Sequence, residues 1–292
     1  MIIGKLKRLL KVAGLVAAVT LLPGCASMRL AYNHAPELVY WRLDSYADFD
    51  VEQKAKVKQA IAQWMRWHRS TQLPDYVALM ASHRHMLQRN VTPAEVCTLL
   101  DHGRERVARG WAQVLPPASE IAMTLRPSQL QRIEEKLEKA NREVKEERLP
   151  DDPKQQLEAS EKRVREQAER LYGRLGPAQR AVIDAAVAAE PDRPREWYAE
   201  RLQRQQRTLS TTRQLIAEHA TKDQALKAYR NLVDDYLNPA DEAVAQREAA
   251  ERQQDCALWA HLHNSTTPQQ RQHATERLER WLTDFQLLVD DQ

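Results

Sequence analysis

Glycine is scarce in this 292-residue chain: seven in all, of which Gly103, Gly110, Gly173 and Gly176 are the ones beyond residue 24. Glycine is the usual supplier of the positive φ that tight hairpins need. Alternating β-branched runs are missing too, so an antiparallel sheet is excluded. Long apolar runs are also lacking. Leu9 to Leu22, apolar apart from Lys11 and Thr20, falls short of the ~20 residues that cross a bilayer. There is no GxSxG, no HExxH and no glycine-rich loop to cradle a phosphate. Carboxylates are plentiful, but they sit in charge ladders and no acid–base couple stands out. The sequence therefore reads as non-enzymatic, without a cofactor and with no small-molecule substrate evident.

What is present begins with the N-terminus. Lys5, Lys7, Arg8 and Lys11 make a basic start, the apolar run follows, and Leu22-Pro23-Gly24-Cys25 closes it. Basic region, short apolar region and small residues before a cut are the secretory pattern. The cysteine makes the tetrapeptide a bacterial lipobox, with Leu22 at −3, Pro23 a less usual occupant of −2, Gly24 at −1 and Cys25 at +1. Residues 1–24 are thus expected to be a lipoprotein signal peptide. The Cys25 sulfur takes a diacylglycerol, and the new amino group a further acyl chain. Two or more chains, at ~0.8 kcal/mol per buried methylene, anchor where one would not. The residue after Cys25 is Ala26 rather than aspartate, which by the usual sorting rule directs the chain to the outer membrane, facing the periplasm.

Cleavage changes the charge. The full chain carries 44 basic and 41 acidic residues, a formal +3. Residues 1–24 hold four of the basic residues and no acid, which leaves 40 against 41, or −1. The basic balance on which a nucleic-acid reading would rest disappears with the signal.

The remaining chain is rich in good helix formers and reads as all-α: a multi-helix antiparallel bundle of about nine or ten helices. A helix-start pattern recurs, with a cap residue, proline, any residue, then Gln or Glu. Thr92-Pro93-Ala94-Glu95 and Thr267-Pro268-Gln269-Gln270 carry it in full, and Asn238-Pro239-Ala240-Asp241 is close. Leu125-Arg126-Pro127-Ser128-Gln129 and Leu175-Gly176-Pro177-Ala178-Gln179 keep the Pro and Gln, while Asp50–Gln53 and Thr221–Gln224 lack the Pro. Between these marks, apolar residues recur at three and four: Val57, Ile61, Trp64 with His68; Val96, Leu100, Val107, Trp111; and Ala274, Leu278, Trp281, Phe285, Leu288. The stripe Tyr198, Leu202, Gln205, Leu209, Thr212, Ile216 has two polar interruptions.

The centre is different. Over about 127–172, charges step by four, as in Glu135/Lys139/Glu143 and Glu158/Lys162/Glu166/Arg170. Such ladders give ~0.2–0.5 kcal/mol per pair and predict a long charged helical hairpin broken near Leu149-Pro150. A thin apolar line would let its helices pack on each other. If the hairpin projects, it is an arm for a partner.

His83/His85 and His261/His263 are HxH pairs. Residues i and i+2 of a helix point ~200° apart, so no metal site is expected. Cys97 and Cys256 remain after Cys25 is lipidated, and in an oxidising compartment they form either one disulfide or two separate buried thiols. Tyr32, Tyr40, Trp41, Tyr46 and Phe49 crowd the stretch after the anchor. Residues 25–49 then read as a lipidated tether with a docking helix from about Pro36 to Tyr46, and residues 50–292 as one all-helical domain.

The lipobox together with "LAYNHAPELVYWRLDSYADFDVEQ" and "WHRSTQLPDYVALM" resembles a group of Gram-negative lipoproteins sharing a domain of unknown function. That resemblance spans nearly all of the mature chain and implies a helical lipoprotein of the cell envelope. More weakly, "LRPSQ" and "LGPAQ" are similar to the L-T-x-x-Q motifs of Spy- and CpxP-type periplasmic chaperones, without the threonine. The expected role is binding an envelope protein partner, or maintaining the envelope, at the membrane that the lipid anchors. The alternatives are a chaperone-like holder of unfolded periplasmic chains and an envelope hydrolase.

Overall fold

The computed structural model describes residues 24–291, with side chains from Met28. Leu22, Pro23 and all of the expected signal but Gly24 lie outside the described residues. The helices are α1 (Gly24–Asn33), α2 (Ala35–Ala47), α3 (Val51–Trp67), α4 (Leu73–His83), α5 (Pro93–Ala122) and α6 (Pro127–Arg148). They continue as α7 (Pro153–Tyr172), α8 (Pro177–Ala188), α9 (Arg193–Ala217), α10 (Lys222–Leu237), α11 (Glu242–Asn264) and α12 (Pro268–Asp290). No strand occurs among the described residues. The all-α expectation holds, and the helix number exceeds nine or ten because the N-terminal quarter is cut finely. A π turn, His68–Gln72, separates α3 from α4, and a 3-10 turn, Arg84–Gln88, follows α4. The π turn has a local cause. Pro74 has no N–H to return to the carbonyl four residues back, and the Leu73 N–H reaches His68 O instead.

The helix-start reading holds at Asp50, Thr92, Thr221 and Thr267, each with a complete capping box. It fails at Asn238. Helix α11 starts three residues later, because the Asp241 carboxylate caps Ala243 N and Val244 N at 2.9 and 3.1 Å.

The core is distributed rather than single. Leu115, Leu215, Ala225 and Tyr229 form one cluster, and Ala168, Leu175, Ile183 and Leu262 a second. Ala47, Phe49 and Val57 form a third, and Met86, Val91 and Ala260 a fourth. The two polar interruptions of the α9 stripe are both satisfied: Gln205 bonds Asn141 and Thr212 bonds Tyr229.

The charged hairpin α6–α7 does not project as an arm. Helix α6 packs on α2 and α9, with Asn141 Oδ1 accepting from Arg201 Nε at 2.9 Å and Glu134 paired to Arg213. Helix α7 packs on α8 and α12. The thin apolar lines are used mainly against these neighbours, because a charge-rich helix buries its few apolar residues where the largest apolar partner lies. Ile133 joins the Phe49/Val57 cluster and Val164 the Leu262 cluster.

Helix α2 docks on α3 and α6, burying Ala47 with Phe49 just beyond it. Tyr32, Tyr40 and Tyr46 are half-buried. Its outer side is apolar and exposed among the described residues: Leu38 and Trp41 keep 61% and 67% of their surface, and Val39 and Leu43 are also exposed. The beginning and end of the described chain are clasped together. Arg29 pairs with Asp291, and Arg69 bonds both Asn33 and the Asp291 carbonyl.

Candidate functional site

The N-terminal half of α5 and the last turns of α11 are joined by the Cys97–Cys256 disulfide, which leaves Cys256 fully buried. One turn away on each helix, Arg252 grips Asp101 through Nη1 at 2.6 and 2.9 Å. These contacts fix α11 as one wall of a cleft. The other walls are α7, the end of α8 and the first half of α9.

The cleft has a volume of about 670 Å³. Its apolar surface comes from Val164, Val187, Trp197, Leu258 and Trp259, with Leu100 of α5 at one end. Arginines and carboxylates line the rest. Arg193 is the hub of one group. It donates to both oxygens of Asp255 at 2.8 and 2.7 Å and to Glu190 at 3.0 Å, and its Nε lies 3.3 Å from Glu251. The guanidinium is thereby held well above its ordinary pKa, first through the hydrogen bond to Asp255. Arg247 is the second hub and reaches Glu196, Glu200 and Glu251. Glu251, shared by the two, has its carboxyl pushed up by burial, partly offset by Arg193 and Arg247.

Trp197 stands at the other end. The Arg148 guanidinium lies 4.6 Å from its ring centroid and that of Arg201 5.9 Å. Arg163 donates to the buried Ser160 hydroxyl at 2.9 Å. Burial lowers the Arg163 pKa, and the like charge of Arg148 lowers it further.

The residues singled out in the sequence are dispersed. Cys25 lies on α1, next to Gly24. The histidine pairs do not converge on an ion: among the described residues no group of three or more His, Cys, Asp or Glu could hold one. His263 is buried and bridges Tyr172 Oη at 3.0 Å and the Arg89 carbonyl at 2.8 Å. A carbonyl only accepts, so Nε2 carries the hydrogen and Nδ1 accepts from Tyr172. His68 is stacked on Trp64 at 4.7 Å and shares a hydrogen bond of 2.9 Å between its Nδ1 and Tyr32 Oη. Among the described residues no helix is long and apolar enough to cross a membrane.

Sequence reasoning missed the cleft arginines. Arg148 and Arg163 lie in two different helices, with Trp197 in a third, and in the sequence the two arginines merge into the general charge pattern.

A family of unknown function, DUF6279, matches residues 45–222. The chain belongs to this family. No curated protein and no solved structure matches it.

Proposed function

We propose that the chain is an outer-membrane lipoprotein, anchored through Cys25 and facing the periplasm, that binds a polar segment of an envelope protein in the α7–α9–α11 cleft. The observation that carries the binding reading is the cleft itself: aromatic surface from Trp197 and Trp259, bordered by charges of both signs. Such a mixture suits a polypeptide segment better than a small apolar ligand. Its carboxylates are mostly held in ion pairs by Arg193 and Arg247, an arrangement for recognition rather than proton transfer. The anchor reading is supported by the lipobox, by the resemblance to Gram-negative lipoproteins, and by the exposed Leu38, Trp41 and Leu43 on α2. Amphipathic and aromatic side chains favour a membrane interface.

A photo-crosslinking residue placed at Glu248, which lines the cleft, tests the binding reading in living cells. A discrete adduct, absent when the probe sits at exposed Glu143 of α6, supports it. Adducts of equal strength at both positions, or none at Glu248, oppose it.

A holding activity like that of Spy- and CpxP-type chaperones is the second reading. Leu99, Leu100, Val107 and Trp111 of α5 keep 37–53% of their surface, and Leu100 continues this strip into the cleft. Exposed apolar surface of this kind marks interaction sites. Suppression of aggregation of an unrelated unfolded protein, lost on Val107→Ser with Trp111→Ser, would favour it over a specific partner.

A further inference from the structure

The arginines of the cleft fall into two kinds. Arg193, Arg204 and Arg252 each have a carboxylate partner, at 2.7, 3.4 and 2.6 Å. Arg148 and Arg163 have none within 4.0 Å among the described residues, and neither has Arg201, which faces the Trp197 ring without lining the cleft. Arg201 is occupied by Asn141. Arg148 rests on the Trp197 ring, and its Nε is buried without an acceptor. Arg163 spends one N–H on the Ser160 hydroxyl, which accepts that bond and so retains its own hydrogen to donate. Glu147 acts on Arg163 at longer range and less strongly than the like charge of Arg148. Half-buried guanidiniums of like charge, side by side and without an anion, are costly to keep. A cleft that neutralises its other arginines and leaves these bare has room for a negative group supplied from outside.

We propose that Arg148 and Arg163, with the Ser160 hydroxyl and the Trp197 ring, form a subsite for an oxyanion, a carboxylate or a phosphate, carried by the occupant of the cleft. The guanidinium fork matches either group in bidentate fashion. The indole face holds Arg148 in place by a cation–π contact. At the wall around Glu200 and Glu251 the arginines are already engaged by carboxylates, so an added anion finds unpaired guanidiniums at the Trp197 end. The inference rests on the cleft being the binding site, and not on the lipid anchor.

The test uses the full chain in a neutral detergent, with rhodamine-labelled hexaglutamate and hexalysine as probes and fluorescence anisotropy as the readout. Hexaglutamate is expected to bind more tightly than hexalysine. Arg148→Gln with Arg163→Gln weakens it tenfold or more, while Arg132→Gln, on the exposed face of α6, leaves it unchanged. Competition by inorganic phosphate and by acetate separates the sources: the more effective competitor names the group. The double variant melts no lower than the parent, because the charges removed repel each other. Absence of hexaglutamate binding, equal loss in Arg132→Gln, or an unaltered affinity in the double variant overturns the subsite. So does loss of binding accompanied by a large fall in melting temperature, which would make the arginines structural. Crosslinking from Glu248 reports on the partner reading separately: an adduct there without hexaglutamate binding refutes the subsite alone.

Discussion

Gln53 and Gln129 exchange side-chain amide hydrogen bonds, Gln53 Nε2 to Gln129 Oε1 at 3.2 Å and Gln129 Nε2 to Gln53 Oε1 at 2.8 Å. Each is also the N3 residue of its own helix, accepting from the N-cap N–H of Asp50 or Arg126. Gln129 further donates to the carbonyls of Ala47 and Asp48, just past the end of α2. One buried pair thus caps two helix starts and closes a helix end, supplying partners that helix termini lack. Gln179 and Gln270 repeat the device at α8 and α12, reciprocally at 3.0 Å, with Ser265 O and Arg174 O as the added acceptors.

Gln129→Ala removes the cap of α6, leaving the Arg126 N–H and the carbonyls of Ala47 and Asp48 without its amide, while Gln53 keeps Asp50 N and Thr124 O as partners. Buried groups left unpaired cost about 1–3 kcal/mol each. We expect Gln129→Ala to lower unfolding stability by about 3 kcal/mol in urea titration, and Gln131→Ala, an exposed neighbour, by less than about 0.5 kcal/mol.

The Cys97–Cys256 bond spans 159 residues. On the chain-entropy model a loop of that length stabilises by about 5 kcal/mol. Cys97→Ala with Cys256→Ala should therefore move the urea midpoint far down. It should also weaken crosslinking from Glu248, since α11 loses its covalent tie to α5. Reductant added to the parent protein should reproduce both effects, and reductant added to the double variant neither.

Stability should fall on both sides of neutrality. Burial lowers the pKa of His263 below 6.5 and pushes that of Tyr172 from 10.0 up to about 12. A depressed histidine contributes stability that is complete above the unfolded value and lost as pH drops below 6.5. A raised tyrosine contributes stability that is complete below pH 10 and lost between 10 and 12. Thermal melts from pH 8 to 5 should decline, with a shallower slope in His263→Gln. The Tyr172 phenol should resist alkaline titration by ultraviolet absorbance until the protein unfolds.

Arg193 holds Glu190, Glu251 and Asp255 together. Arg193→Gln leaves three carboxylates facing one another in a partly solvated cleft. The expected loss is about 2 kcal/mol, discounted from the buried-pair range because these side chains are a fifth to a third exposed. Melting at pH 4, where Glu251 takes up a proton because burial raises its carboxyl, should show a smaller difference between variant and parent than at pH 7.

Much of the fold is legible in the sequence, because capping chemistry and apolar periodicity are local. Thr92 and Glu95 or Thr267 and Gln270 announce helix starts without reference to the rest of the chain. Sequence reading falls short where one residue serves two ends. Gln129 and Gln179 read as helix-start marks, and nothing local reveals that each also seeks another mark across the fold. The hairpin misleads for a related reason: a thin line such as Ile133, Leu137, Ala140 and Val144 fixes which face is buried but not against what. The cleft is the least legible part. An unpaired arginine has the same letter as a paired one, and Arg163 differs from Arg193 only in what tertiary packing puts beside it.

The proposed anchor at Cys25 carries the most weight, because it would set both the compartment and the orientation in which the cleft meets the proposed partner. Mass spectrometry of the N-terminal peptide from protein purified out of its native membranes tests it directly. The expected peptide starts at Cys25 and carries diacylglycerol and an amide-linked acyl chain. A peptide starting at Met1, or one bearing Cys25 with a free thiol, contradicts the lipoprotein reading.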